Sequence, residues 1–271
     1  MASVAHGGCI FCSNKGSGEL IKSAPDISSQ VTQYFESYRA KRANKFIAYF
    51  QAYTNTYAPV DYLEKIFTEA VSDPEVAALS IATRPDVLPP DVLSLLQRLN
   101  NQKPVWVELG LQTMHEETAR FIRRGYDLPC FEQAVQNLRA CGIEVIVHTI
   151  LGLPNESREQ MLETIRYLNT CHIQGIKLQL LHILKNTDLA AYYERTHFPV
   201  LSMEEYVDLV ISCIENLSPD IVVHRITGDG PGELLIAPKW SQSKRTVLNK
   251  IHASFRERQT WQGKSYHAKE N

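Results

Sequence analysis

With 271 residues, 44% hydrophobic and 21% charged, the chain has the make-up of an ordinary globule, long enough for one large α/β domain or two small ones. Its net charge of -2 gives no overall sign of a polyanionic partner. Residues 1–20 lack the basic start and apolar run of a signal peptide, and no apolar stretch is long enough to span a bilayer. The expectation is a cytoplasmic protein with no membrane partner and with reduced thiols.

In chain order the first feature is "GGCIFC" (Gly7–Cys12), two thiols three positions apart behind a glycine pair. Regular patterning begins at residue 45. "KFIAYFQAY" (Lys45–Tyr53) is a short apolar run, and "VDYLEKIFTEAVSD" (Val60–Asp73) has helical spacing. "VAALSIATRPD" (Val76–Asp86) predicts strand and turn, "PDVLSLLQRLN" (Pro90–Asn100) helix, and "PVWVELGLQT" (Pro104–Thr113) strand. Two helices follow, over 115–125 and 130–142, the second stopped by Gly142. "IEVIVHTILGLP" (Ile143–Pro154) is apolar on both faces, as a strand of a covered parallel sheet is. A helix over 157–171, a strand over 176–184, helices from Leu189 and over 203–217, a strand over 221–227 and a final helix near 241–258 complete the pattern.

Repeated strand–helix units call for parallel strands joined by right-handed crossovers. No Pro-, Gly- or Ser-rich break divides them, so one α/β unit is expected over 1–238, with a basic helical extension over 239–271. In such folds ligands sit at the carboxyl ends of the strands. Successive strand ends there carry polar residues that strand packing does not require. They are Gln51, Tyr53 and Asn55; Thr83, Arg84 and Asp86; Glu108, Gly110 and Gln112; His148, Gly152 and Pro154; Lys177 and His182; and His224, Arg225 and Asp229. One such residue reads as a turn former or a cap, whereas six sets in succession point to a polar pocket.

Three chemistries use Cys-x-x-Cys. A thioredoxin-like dithiol wants its first cysteine at a helix N-terminus after a strand, and no strand is predicted before Cys9. Structural zinc takes four ligands, and only His6 stands near as a further one. Iron–sulfur ligation from a glycine-flanked loop is the third. Cys130, Cys141, Cys171 and Cys213 are scattered and read as small buried hydrophobes.

The cysteine loop with Phe11 before its last thiol, followed by α/β units, resembles the radical S-adenosylmethionine superfamily. "ELGLQT" (Glu108–Thr113) is similar to the fourth-strand motif of its coproporphyrinogen-dehydrogenase and elongator-catalytic-subunit branches, and "ATRPD" (Ala82–Asp86) to the third-strand end of the latter. "HTILGLPNES" (His148–Ser157) matches the fifth-strand motif, with Asn155 where glycine is usual. Together "YFQAYTNTYAP", "IATRPDVL", "VELGLQT", "RITGDGP" and "LLIAPKWS" resemble the YhcC/YtqA group over nearly the whole chain.

The resemblance implies a partial (β/α) TIM-type barrel, open on one side, and an enzyme using a 4Fe-4S cluster and S-adenosyl-L-methionine. In the superfamily three cysteines hold three irons of the cluster, and S-adenosylmethionine binds the fourth. An electron then cleaves the sulfonium to a 5′-deoxyadenosyl radical that abstracts hydrogen from the substrate. Carried over by motif, Cys9 and Cys12 are the second and third cluster ligands, Gln112 contacts the ribose, and Arg124 (or Arg123) pairs with the methionyl carboxylate. His148 aligns with a cofactor-contacting position. Gln51, Tyr53 and Asn55 stand where relatives have Gly-Gly-Glu. Arg84 and Glu108 lie at neighbouring strand ends, and the backbone near Leu180–His182 is expected at the adenine.

The family's first cysteine lies farther upstream of Gly-Gly-Cys than the eight residues preceding Cys9. It and the first barrel strand therefore fall before Met1, and the expectation is a shortened form of a normal enzyme that, as given, holds the cluster weakly or not at all. An electron donor such as flavodoxin or ferredoxin is implied as a partner. Basic residues from Lys244 to Lys269, interleaved with Trp240, Phe255, Trp261 and Tyr266, add RNA as a conceivable substrate, and a solvated amphipathic helix explains the same composition. Rival readings are a cluster-deficient nucleotide- or RNA-binding barrel and a zinc-stabilised structural protein.

Overall fold

The computed structural model describes residues 8–13, 26–39, 43–228, 230 and 232–267. His6 and Asp229 lie outside the described residues. Helix α1 (Ile27–Arg39) is followed by strand β1 (Phe46–Phe50), α2 (Val60–Ser72), β2 (Val76–Thr83), α3 (Pro90–Asn100) and β3 (Val105–Gln112). Then come α4 (Glu116–Phe121), α5 (Leu128–Ala140), β4 (Glu144–Leu151), α6 (Arg158–Leu168) and β5 (Gly175–Leu180). The short strand β6 (Ile183–Leu184), α7 (Asp188–Thr196), α8 (Met203–Asn216), β7 (Val222–Arg225), β8 (Leu235–Ala237) and α9 (Lys244–Glu257) close the order.

Six strands form one parallel sheet in the order β1-β2-β3-β4-β5-β7, curled into a half-barrel, while β6 pairs antiparallel with β8. Sequential neighbours follow from the crossover helices between them. Among the described residues no strand precedes the cysteine loop. The predicted strands and helices from residue 45 onward correspond to elements of the fold. The sequence pattern missed α1, which stacks Phe35 on Phe46 at 4.4 Å between ring centroids, and β8, too short for any periodicity.

The two faces of the sheet differ sharply. On the convex face Leu79, Ile81, Val107, Leu109, Val145, Val147, Ile176 and Leu178 pack under Phe67, Leu95, Phe131, Ile165 and Val210 from the covering helices. Helix starts are set by local hydrogen bonds. Ser157 and Ser202 form capping boxes with Gln160 and Glu205, Asp127 caps α5, and Thr187 caps α7. Residues 239–257 belong to the same packing: Val247 and Ile251 of α9 are fully buried in the main core, and Trp240 donates to the Leu201 carbonyl at 3.0 Å. The basic character of α9 is partly neutralised by α8, through Lys250–Glu204 and Arg258–Asp208 pairs. Among the described residues no helix is long and apolar enough to cross a membrane.

The concave face holds polar residues, and two glycines make room there. A Cβ on Gly175 would lie 2.6 Å from the His224 ring and 3.0 Å from Ile146. Gly175→Ala should therefore cost about 1–3 kcal/mol in urea unfolding. The same change in a His224→Ala background should cost well under half of that; an equal cost in both backgrounds would show that the ring is not the obstacle.

Candidate active site at the barrel mouth

The strand-borne part of the site follows from period two. In "ELGLQ", Glu108, Gly110 and Gln112 share the concave face while Leu109 and Leu111 enter the core. Glu108 lies in the middle of the sheet and is 3% exposed. Its carboxylate accepts from Tyr49 of β1 at 2.8 Å, Ser80 of β2 at 2.6 Å, His148 Nε2 of β4 at 2.6 Å and Lys177 Nζ of β5 at 2.5 Å. The Lys177 ammonium also stands 4.5 Å over the Tyr49 ring, so residues from β1 and β5 meet across the lumen. His148 is a neutral imidazole here. Its Nδ1 accepts from Gln179 Nε2 at 3.0 Å, so the ring proton sits on Nε2 and points at Glu108. Burial is the main influence on its pKa and lowers it. For Glu108 burial works upward, but the His148 hydrogen bond and the Lys177 charge together hold the carboxyl well below its usual range.

Gly110 leaves room for the amide end of Gln112: a Cβ there would stand 2.6 Å from Gln112 Nε2, and that side chain would have to swing away. Gln112 itself adopts φ +67° and folds back across the strand end. Tyr126 donates its hydroxyl to the Gly110 carbonyl, and two guanidiniums lie over its ring, Arg84 at 5.2 Å and Arg124 at 5.0 Å from the centroid. Arg84 is clamped by Asp86 through two hydrogen bonds of 2.9 and 2.7 Å and reaches the Arg124 carbonyl at 3.2 Å.

Arg124 is 1% exposed and serves the protein itself. It donates to Tyr126 O at 2.9 Å, Thr113 O at 2.7 Å and Glu116 at 2.7 Å, binding the β3–α4–α5 corner together. The neighbouring Arg123 is exposed and ion-paired with Asp188.

The cysteine loop docks against this corner. The Cys12 amide donates to the Cys9 carbonyl at 3.1 Å, closing a turn, and Gly8 before it has φ +64°. Ile10 at its tip is buried in a second apolar cluster with Ile122, Ile150, Leu153, Leu181 and Leu189. Its amide donates to Ile122 O at 3.2 Å, and its carbonyl accepts from the first turn of α7, Leu189 N, at 2.9 Å. Both thiols are half-buried. The thiol of Cys12 hydrogen-bonds Cys9 and is the largest influence lowering the Cys9 pKa; burial opposes it, and the guanidiniums of Arg84, Arg124 and Arg123 reinforce it.

Cys9, Cys12, Arg84, Gln112 and Arg124 thus surround one corner of the mouth, with Glu108 and His148 below them in the lumen. Asn55 is occupied structurally. Its amide donates to Phe50 O at 3.0 Å and Ala82 O at 2.8 Å, and beside it the Thr56 hydroxyl donates to Val87 O at 2.7 Å, so this loop is sewn to the end of β2. Tyr53 is 67% exposed and Gln51 half-buried. His182 lies between Leu181 and Ile183 of the second apolar cluster, where Cβ atoms on Gly228 and Gly230 would come within 3.2 and 3.3 Å of a neighbouring side chain. Gly228 and Gly230 of "RITGDGP" bring their own backbone close to the His182 ring and, at Gly230, to Leu235. Asn155 has φ +67°, a left-handed conformation that asparagine tolerates in place of the usual glycine. Tyr49, Ser80, Tyr126 and Gln179 escaped the sequence reading, since each is an ordinary strand or turn residue until its partners are known.

A cluster held as the resemblance implies takes three cysteine thiolates. The described residues supply two, and among them no group of three His, Cys, Asp or Glu side chains gathers to hold a metal. They do not complete that ligand set. Of the remaining cysteines Cys213 is buried, with its thiol pushed up to about 12 by burial, whereas Cys130, Cys141 and Cys171 are half-buried.

The family model described as the Radical SAM superfamily matches residues 4–168, and the Radical_SAM C-terminal domain matches residues 173–257. YtqA of Bacillus subtilis (strain 168) is 45% identical over 268 residues, covering 97% of this chain and 83% of its own. YhcC of Escherichia coli (strain K12) is 34% identical over 247 residues, covering 91% and 79%. Among solved structures, the archaeal Methanocaldococcus infernus Elp3 with an N-terminal deletion superposes with a TM-score of 0.75 at 17% identity, over 86% of this chain and 59% of that one, a likeness of fold.

The lumen network makes a sharp prediction. Glu108→Gln should destabilise the protein by about 3–5 kcal/mol, because it leaves the Lys177 ammonium buried without its counter-charge. Adding Lys177→Met should recover most of that loss. The acid limb follows from the same pair. With a folded pKa below the ~4.3 of an unfolded glutamate, Glu108 lends its full stabilisation above about pH 5 and loses it as the pH falls toward the folded value. Thermal melts between pH 3 and pH 7 should therefore fall less steeply for Glu108→Gln than for the wild type.

Proposed function

The chain belongs to the radical S-adenosylmethionine superfamily, and from that premise we propose that it is an enzyme that binds S-adenosylmethionine across the mouth of the half-barrel and directs radical chemistry at a substrate held over the lumen. The observation that carries this reading is the docking of the cysteine loop on the corner where Gln112 and the Arg84–Tyr126–Arg124 stack meet.

Gln112, bent back over Gly110, offers its amide to the ribose. The Arg84–Tyr126–Arg124 stack sets a positive field beside the thiols, which favours thiolate and any carboxylate placed near it. The neutral His148, held by Gln179 and Glu108, and the Lys177–Glu108 pair give the floor fixed dipoles in a water-poor setting. Arg124, saturated by the protein, acts on ligands through its charge and by holding the corner, not by a direct fork.

A 4Fe-4S cluster and a small electron-carrying protein of the flavodoxin or ferredoxin kind belong to the full proposal, as does RNA as the substrate class. The two thiols of the cysteine loop favour a second reading, a barrel that binds the nucleoside without completing a cluster.

Equilibrium dialysis against S-adenosylmethionine, followed by anaerobic reconstitution with iron and sulfide assays, separates the readings. S-adenosylmethionine should bind, and Gln112→Ala should weaken it about tenfold, the loss of roughly one hydrogen bond to a buried partner. Iron and sulfide should stay well below four per chain. Full occupancy that yields 5′-deoxyadenosine on reduction would establish the catalytic reading for this chain, and absence of nucleoside binding at millimolar concentration would overturn both.

A further inference from the structure

Behind the cysteine loop, on the outer side of the mouth, lies a solvent-open cavity of about 250 Å³ between α4 and α7. Its walls include Ile10, Phe121, Arg123, Asp188, Tyr192 and Arg195. We propose that this cavity is a nucleotide-binding site, taking one aromatic base with its phosphate, either as a free mononucleotide or as one unit of a single strand.

The stacking surface is prepared by the packing beneath it. Tyr192 meets Phe121 edge-on at 5.0 Å and Phe198 at 5.7 Å, so its ring is held on two sides by the second apolar cluster. The Arg195 guanidinium lies over that ring, with Cζ 5.5 Å from its centroid. A guanidinium resting on an aromatic ring presents a flat cationic face, on which a base stacks, and edge N–H groups that reach a phosphate. Arg195 is exposed, and among the described residues no ion pair engages it.

Arg123 supplies the second cation across the cavity. Its partner Asp188 is 64% exposed, and solvent-exposed pairs of this kind hold weakly enough to give way to a phosphate. Size restricts the occupant: the cavity lies below the ~300 Å³ at which sites for whole drug-sized ligands begin, so it suits one base rather than a dinucleotide cofactor.

Ile10 and Arg123 also belong to the cysteine-loop corner, whereas Phe121, Asp188, Tyr192 and Arg195 come from α4 and α7 and not from the strands of the lumen network. The position of the cavity separates it from the C-terminal helix, whose Lys250 and Arg258 are spent on α8. The thiol loop forms the wall between this cavity and the mouth, with Ile10 as the shared residue.

Fluorescence anisotropy with a labelled octauridylate on the full chain, with unlabelled uridine 5′-monophosphate and inorganic phosphate as competitors, tests the site. Arg195→Gln, an exposed change that leaves the apolar cluster intact, should weaken binding about tenfold or more, and Tyr192→Leu at least as much, in line with the loss of one stacking contact. Arg256→Gln on α9 should change it less than about twofold. Mononucleotide binding as tight as the oligomer identifies a free nucleotide as the ligand, and tighter oligomer binding identifies a strand; each sustains the site. The proposal is overturned if neither ligand binds, if Arg195→Gln and Arg256→Gln behave alike, or if inorganic phosphate displaces the probe as well as the mononucleotide does.

Discussion

A single carboxylate organises the concave side of this half-barrel. An open parallel sheet curled on itself leaves an inner face that is too narrow for a helix and too broad to stay empty. Here the face is filled by a polar hub in which Glu108 receives donors from four other strands. Such a network stabilises only when every member is satisfied, because the low dielectric that strengthens each bond also penalises any that is missing. Tyr49 and Lys177 tie the edge strand β1 across the lumen to β5, which neighbours the other edge strand β7, so the hub bridges most of the arc.

The curl in turn places the mouth. The strand ends that carry Arg84 and Gln112 lie side by side on β2 and β3, tied below through Ser80 and Glu108, and the β3–α4–α5 corner is closed by Arg124. The cysteine loop does not belong to that main core. It rests on the second apolar cluster through Ile10 and hangs from the first turn of α7 by one hydrogen bond. Its two thiols therefore meet the arginine-rich corner through a docking contact, and the stability of that small cluster governs the geometry of the thiols.

Motif glycines find their physical reason in this packing. Gly110 clears the path of Gln112, Gly175 that of His224, and Gly228 and Gly230 bring their backbone close to His182 and, at Gly230, to Leu235. At Gly175 and Gly228 the space serves a ring from elsewhere in the chain, His224 and His182, so the need for it is invisible to local pattern. The left-handed φ at Asn155 is the exception, since asparagine is one of the few residues that hold such a backbone position without glycine.

Periodicity and composition by themselves determined the strand–helix alternation from residue 45 and the parallel direction of the strands. The resemblance to the radical S-adenosylmethionine superfamily singled out Cys9, Cys12 and Gln112, and Arg84 stood among the polar residues at the strand ends. Only the tertiary structure decided what each polar group touches. It drew Arg124 and Asn55 into the protein's own hydrogen bonding, joined Tyr49, Ser80 and Gln179 to Glu108 and His148, and formed the Tyr192–Arg195 wall from a helix that reads as merely amphipathic. Hydrogen bonds and charge pairs between distant strands depend on register and curvature, and neither is written in the spacing of residues along one strand.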